Sequence, residues 1–132
     1  MEQVLNKIFF KIEKSYDEIK FYCSDGYLYT MKHWQDCCES VTIDTIDGDL
    51  DDLIGSKILM AECESKDGED DGSGYSESST WTFYKFATIK GYVTIRWYGS
   101  SNGYYSEGVS FDRSEENYRA EWRDFLIGDI LK

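Results

Sequence analysis

The sequence contains no proline, a single histidine and no long hydrophobic run. Without proline, no X-Pro bond can slow folding or stiffen a linker, so glycine has to mark the turns. No apolar stretch approaches the ~20 residues that a membrane-spanning helix needs. The first residues, MEQVLNKIFFKIEK, also lack the basic and apolar regions of a signal peptide. These absences predict a cytoplasmic protein rather than a secreted or membrane protein.

Basic residues are also scarce, with 14 Lys and Arg against 26 Asp and Glu and a formal net charge of −12. Electrostatic attraction to phosphate backbones or to anionic membrane surfaces is therefore excluded. The 132 residues are 41% hydrophobic and 17% aromatic, which is enough to fill one core. We expect a single domain over residues 1–132 that binds neither nucleic acid nor membrane directly.

Most of the negative charge lies in residues 39–77, which include thirteen acidic and two basic residues and carry a net charge of −11. The rest of the chain is nearly neutral. Within this segment, residues 65–79 contain glycines and almost no apolar side chains, so we expect a mobile acidic loop there. Six acidic residues are candidates for binding a partner: Asp49, Asp51, Asp52, Glu69, Asp70 and Asp71.

Apolar and β-branched residues in partial alternation predict a mainly antiparallel, twisted sheet. Asp25-Gly26 is typical of a hairpin turn. Segment 57–64 is apolar enough for a central strand, and a short helical turn is expected near 49–54. The predicted strands are 7–13, Glu18–Cys23, 27–34, 39–46, 57–64, 80–90, 92–98 and 104–111.

A second hairpin is expected at Asn102-Gly103, between segments 92–98 and 104–111. A two-residue turn at this position would put the apolar rows of the two strands on opposite faces of the sheet. The hairpin therefore needs a bulge, which we expect at Gly99 or Gly108.

The last part of the chain has the clearest helical pattern. Ser114 is a suitable N-cap, acidic residues follow at the positive end of the helix dipole, and Gly128 is placed to end the helix. The apolar stripe of this helix consists of Tyr118, Trp122, Phe125 and Leu126. A stripe of this kind predicts a helix packed on a sheet. The predicted fold class is therefore α+β, a mainly antiparallel twisted sheet with one C-terminal covering helix.

The only histidine and two of the four cysteines fall within six residues, at His33, Cys37 and Cys38. A bond between adjacent cysteines closes a strained eight-membered ring, so another role is expected for this pair. Imidazole and thiolate are ligands that Zn²⁺ prefers in sets of four. Cys63 is the candidate for the fourth position, with Glu62 or Asp36 as oxygen alternatives. The pattern predicts a structural zinc site at His33, Cys37, Cys38 and Cys63, or else free buried thiols.

The strings HWQDCCESVTIDTIDGDLDDLIG and WYGSSNGYYSEGVSF resemble an uncharacterised domain family found in phages, prophages and their bacterial hosts. Three elements carry the resemblance: H-x-Q-D-C-C-E at residues 33–39, G-D-L-x-D-L-I-G at 48–55 and S-N-G-Y-Y-S at 101–106. The resemblance implies no particular enzyme chemistry.

Small acidic phage proteins of this kind are also similar to anti-CRISPR proteins of type II systems. RNA-guided nucleases hold nucleic acid in a positively charged channel, and a compact scaffold with closely spaced carboxylates can be steered towards such a surface. The resemblance implies a DNA-mimicking inhibitor, not an enzyme, that binds a basic surface of a host CRISPR effector nuclease and blocks nucleic-acid loading.

Two alternatives remain open at this stage. The first is a small metalloenzyme centred on His33 and Cys37 or Cys38, which would need an open coordination position. The second is an acidic phage domain with an unrelated housekeeping role, whose charge only keeps it soluble. In each case we expect a monomer or a weak homodimer in the host cytoplasm.

Overall fold

The computed structural model of the protein describes residues 2–35, 38–68, 78–101 and 106–114. These residues form two four-stranded antiparallel sheets. The first sheet has the order β1-β2-β3-β8 and consists of β1 (Phe9–Lys14), β2 (Glu18–Cys23), β3 (Leu28–Lys32) and β8 (Ser110–Arg113). The second sheet has the order β4-β7-β6-β5 and consists of β4 (Ser40–Asp47), β5 (Met60–Asp67), β6 (Ser78–Thr88) and β7 (Gly91–Ser101).

The core lies between the two sheets because alternate residues of each strand point inwards. Phe21 is fully buried, with its ring centroid 5.0 Å from that of Phe9 in the first sheet and 5.7 Å from that of Phe86 in the second. Trp97 is also fully buried, and its indole N–H donates to the sulfur of Met31 across the sheets at 3.3 Å. Aromatic side chains from both sheets therefore form one shared core.

A 3-10 turn at Leu50–Leu53 connects β4 to β5, within the segment 49–54 where a helical turn is predicted. The Asp49 side chain caps this turn by accepting a hydrogen bond from the backbone N–H of Asp51 at 2.9 Å. Leu53 is fully buried and anchors the turn to the core. A second 3-10 turn spans Glu2–Val4.

The predicted α+β class is wrong. The described residues contain no helix of seven or more residues, and the fold is β-rich. Each sheet covers the inner face of the other, so the described core is closed without a helix. The predicted helix itself falls on residues 115–132, which lie outside the described ranges. An apolar stripe indicates that one face is buried, but it does not show what buries it.

Two predictions about strand pairing are also wrong. Among the described strands, β5 is an edge strand and not a central one, since it pairs only with β6. β8 pairs with β3 in the first sheet, so it forms no hairpin with β7. The chain passes from the second sheet to the first between β7 and β8. The apolar rows of segments 92–98 and 104–111 therefore do not have to lie on one face of one sheet. The proposed Asn102-Gly103 turn lies outside the described residues.

Candidate functional site

One end of the two-sheet structure brings together buried and half-buried polar side chains from several connections. β3 ends there and β4 begins there, while β6 begins and β7 ends beside them, as the pairs Ser40 with Ser100 and Ser78 with Ser101 show. Connections that meet at one end of a rigid scaffold are common places for function. We call this group the loop-end cluster, and its members are His33, Glu39, Ser78, Thr80, Ser101 and Glu107.

Glu107 is a buried carboxylate with three hydroxyl partners. One of its oxygens accepts hydrogen bonds from Thr80 at 2.8 Å and from Ser78 at 3.2 Å, and the other accepts from Ser101 at 2.6 Å. The side chain fits against Gly99, where an added Cβ would lie only 2.9 Å from the Cβ of Glu107. Gly99 therefore provides space for Glu107 instead of forming the predicted bulge.

His33 is oriented by the same connection that carries Glu107. Its Nδ1 lies 2.6 Å from the carbonyl oxygen of Gly108, and because a carbonyl only accepts, Nδ1 carries the proton. Its Nε2 faces a carboxylate oxygen of Glu39 at 3.6 Å, and both side chains are almost fully buried. Within the described residues, this Nε2 has no hydrogen-bond partner. An imidazole nitrogen without a proton is a possible ligand for a cation.

The described part of the chain offers no nucleophile beside His33. Its only described hydrogen bond goes to a backbone carbonyl, and no described hydroxyl or thiol bonds to its ring. Among the described residues, His33 could therefore act as a base, but it has no hydroxyl or thiol beside it to activate as a nucleophile.

Three of the four predicted zinc ligands, His33, Cys38 and Cys63, lie within the described residues. Cys63 lies on β5, is exposed and is the cross-strand neighbour of Tyr84, whose pKa is raised by burial and by this thiol. Cys38 is exposed and disulfide-bonded, and its bond partner lies outside the described residues, as does Cys37. Among the described residues, no three His, Cys, Asp or Glu side chains are close enough to hold a metal ion. The four-ligand zinc site stays a prediction.

The remaining thiol, Cys23, is fully buried in the core. Burial raises the pKa of Cys23 to about 11, so this thiol is protonated and unreactive at neutral pH.

The predicted partner-binding aspartates lie at the end of the second sheet opposite the loop-end cluster. Asp49, Asp51 and Asp52 belong to the connection between β4 and β5, and Asp47 at the end of β4 precedes them. We call residues 47–52 the acidic turn. The other three candidates, Glu69, Asp70 and Asp71, lie outside the described residues.

Of the six members of the loop-end cluster, only His33 was predicted as a site residue, and the two carboxylates that were missed are Glu39 and Glu107. Glu39 closes the H-x-Q-D-C-C-E element, and that position was the only available signal for it. Glu107 follows the S-N-G-Y-Y-S element directly, but one glutamate among 26 acidic residues carries no signal of burial. The contact between His33 and Gly108 joins the start of the first element to the residues that follow the second.

The described residues define a β-rich, two-sheet domain with a buried polar cluster at one end and an acidic turn at the other. The chain belongs to the family described as a domain of unknown function (DUF7448), which it matches over residues 2–111. This confirms membership of an uncharacterised domain family. No curated protein and no solved structure matches the chain. No helix in the described ranges is long and apolar enough to cross a membrane.

Proposed function

We propose that this chain is a phage-encoded inhibitor of a type II RNA-guided nuclease, which binds a basic surface of that enzyme and blocks nucleic-acid loading. The observation that carries the proposal is the acidic turn. Asp47, Asp49 and Asp51 are exposed, and together with Asp52 they have no basic side chain within ion-pair distance in the described part of the chain. The nearby Lys90 ammonium donates to the carbonyl of Ile54 instead.

The acidic turn is held in a fixed shape, which favours binding over mere solubility. Its cap fixes Asp49, the buried Leu53 anchors it, and Thr88 donates a hydrogen bond to the carbonyl of Asp52 at 2.6 Å. Carboxylates that are already in position lose less entropy on binding a basic surface. Their combined field also steers the encounter with a positively charged channel.

Removal of charge from the acidic turn tests the proposal. In the double variant Asp51→Asn, Asp52→Asn, we expect affinity for the nuclease to fall about tenfold or more, because two complementary charges are lost. Binding should also become less sensitive to salt. The measurements are titration calorimetry at two ionic strengths and inhibition of target cleavage.

A matched control changes the net charge equally at distant sites. Asp17→Asn, Asp112→Asn removes two exposed charges from the first sheet and should retain wild-type affinity. An equal loss in both variants would show that only net charge matters. If the wild-type chain does not bind the nuclease at any salt concentration, the proposal is wrong, and the acidic surface only keeps the protein soluble.

A structural zinc ion that stabilises the scaffold is part of the proposal. The buried Nε2 of His33, without a hydrogen-bond partner among the described residues, supports it. We expect about one zinc per chain after purification in reducing buffer, because a disulfide-bonded Cys38 cannot supply a thiolate. Elemental analysis of the wild type and of Cys63→Ser measures this, and Cys63→Ser should lose the metal. A reduced wild-type chain without zinc would remove this part of the proposal.

An inhibitor of this kind acts in the host cytoplasm as a monomer or weak homodimer and catalyses no reaction. The zinc ion would have a structural role in it.

A further inference from the structure

The four edge strands of the two sheets differ in how they are protected. β1 has a register shift between Phe9 and Lys11, and β8 has only four residues. β4 has a register shift between Ile43 and Thr45, and the N–H of Ile43 donates to the carbonyl of Tyr16 at 3.2 Å. Bulges, short strands and covered edges prevent unwanted strand pairing.

β5 is neither short nor bulged, and only its first residues lie beside another element, the 3-10 turn Glu2–Val4. Its eight residues pair with β6 without a register shift, from Met60 opposite Ala87 to Asp67 opposite Thr80. No described residue pairs with its other side. β5 is therefore a long and regular edge that, beyond its first residues, remains open in the described structure.

The residues whose backbone faces this open edge can be identified. The N–H of Gly68 donates to the carbonyl of Ser79 at 2.8 Å, which makes these two residues a hydrogen-bonded pair. In an antiparallel ladder, hydrogen-bonded and non-hydrogen-bonded pairs alternate, so the even-numbered residues of β5 face β6. The odd-numbered residues direct their N–H and C=O groups to the open edge, and they are Ala61, Cys63, Ser65 and Asp67.

The surroundings of β5 are accessible and mainly acidic. Residues 62–67 are all exposed, and an open groove of about 720 Å³ runs beside the strand. Glu2 and Glu62 line this groove and make no ion pair within the described residues, whereas Glu64 pairs with Lys85 at 3.0 Å. Opposite charges stabilise neighbouring strands and like charges destabilise them, so a basic strand fits this edge.

We infer that the open edge of β5 binds an extended basic segment of a partner protein by strand addition. Backbone hydrogen bonds from the odd-numbered residues supply the pairing, and the acidic side chains select lysine or arginine in the added strand. This surface is separate from the acidic turn and goes beyond the proposed function. It does not depend on the identity of the nuclease.

Proline at Ser65 tests the inference directly. Ser65→Pro removes an N–H that faces the open edge and leaves the hydrogen bonds to β6 in place, which edge strands tolerate. Ser65→Ala is the matched control because it removes the side chain and keeps the N–H. The probe is a ten-residue peptide of alternating lysine and threonine, with glutamate in place of lysine in the control peptide.

We expect the lysine peptide to bind wild type and Ser65→Ala equally and to slow hydrogen exchange at the N–H groups of Cys63 and Ser65 in the wild type. Ser65→Pro should bind the lysine peptide about tenfold more weakly, because one backbone hydrogen bond to the peptide is lost and the proline ring obstructs the added strand. Glu62→Gln, which changes no backbone group, should weaken binding several-fold. This second variant keeps the test valid if Ser65→Pro does not fold.

Several results would overturn the inference. One is that the lysine peptide binds Ser65→Pro and Ser65→Ala with equal affinity. Another is that the glutamate peptide binds the wild type as tightly as the lysine peptide does. A third is that the lysine peptide slows hydrogen exchange at residues outside β5. Concentration-dependent protection of β5 without peptide would show that a second copy of the chain occupies the edge, which also overturns it. Asp51→Asn, Asp52→Asn should leave peptide affinity unchanged, so this result is independent of whether the proposed function holds.

Discussion

Glu107 is a buried carboxylate in a domain that already has a large surplus of negative charge. A carboxylate out of water is costly unless hydrogen bonds replace its hydration. Here the hydroxyls of Ser78, Thr80 and Ser101 do so, and these donors belong to both long strands of the second sheet. Glu107 therefore ties the connection before β8 to β6 and β7, and Gly108 beside it orients His33.

Replacement of Glu107 should destabilise the whole domain. In Glu107→Ala the three hydroxyls lose this acceptor, and we expect the free energy of unfolding to fall by about 2–3 kcal/mol. Thr80→Val removes one donor at similar volume and should cost about 1 kcal/mol. Urea unfolding measures both. If Glu107→Ala costs no more than Thr80→Val, the carboxylate does not have the connecting role described here.

The elements show that negative charges in the same sequence segment have different roles. Asp44, at the register shift of β4, binds the Arg96 side chain of β7 at 2.6 and 2.9 Å. The Arg96 guanidinium also lies 5.0 Å from the ring centroid of Trp81, which contacts Tyr98. Asp44 thus stabilises the outer face of the second sheet, whereas the acidic turn keeps its charges for a partner.

The acidic turn depends on glycine at its entrance. Gly48 has φ +98°, and an added Cβ would lie 2.5 Å from the carbonyl oxygen of Tyr92. Gly55 beyond the turn has φ +83°, but its Cβ would meet only Lys90 Nζ at 3.9 Å. Gly48 and Gly55 therefore share a left-handed backbone conformation, but only Gly48 has a backbone atom close to the position of an added Cβ.

These two glycines give a matched pair of variants. Gly55→Ala should lower the free energy of unfolding by about 1–2 kcal/mol, the cost of a left-handed conformation for alanine. Gly48→Ala should cost more, about 3 kcal/mol, because a contact with backbone is added. Denaturant midpoints measure the difference. Similar losses in both variants would show that Tyr92 moves aside easily.

For the whole molecule, the described residues of the acidic segment 39–77 do not form one continuous face. The acidic turn lies beside the connection between β6 and β7, whereas Asp67 at the end of β5 pairs with Thr80 at the start of β6. Thr80 and Thr88 are eight residues apart on one strand, which is about 27 Å. Asp67 and the acidic turn therefore lie at opposite ends of the second sheet.

The local features of the fold were predictable to different degrees. β2 has the predicted bounds Glu18–Cys23, and Gly26 of the predicted Asp25-Gly26 turn has φ +87°. Alternation and turn chemistry are properties of neighbouring residues, so a sequence shows them. The partner of β8 and the edge position of β5 were not predictable, because pairing depends on residues far apart in the chain.

The residues of the candidate site were also predictable only in part. His33 stands out in the sequence because it is the only histidine, and the aspartates of residues 47–52 stand out as a cluster. The burial of Glu39 and Glu107 could not be predicted, since a glutamate in the core and one in water have the same local pattern. The predicted zinc set was assembled from spacing alone, and the structure puts His33 and Cys63 in contact with different neighbours.

The sequence by itself determined most of the strands, the Asp25-Gly26 turn and the concentration of negative charge in one segment, because these depend on composition and on neighbouring residues. Only the tertiary structure decided that a second sheet closes the core, that β5 is an open edge, and that Glu107 and His33 share one buried cluster. These features depend on which distant segments pack together, and that choice follows from the burial of apolar side chains from the whole chain in one core.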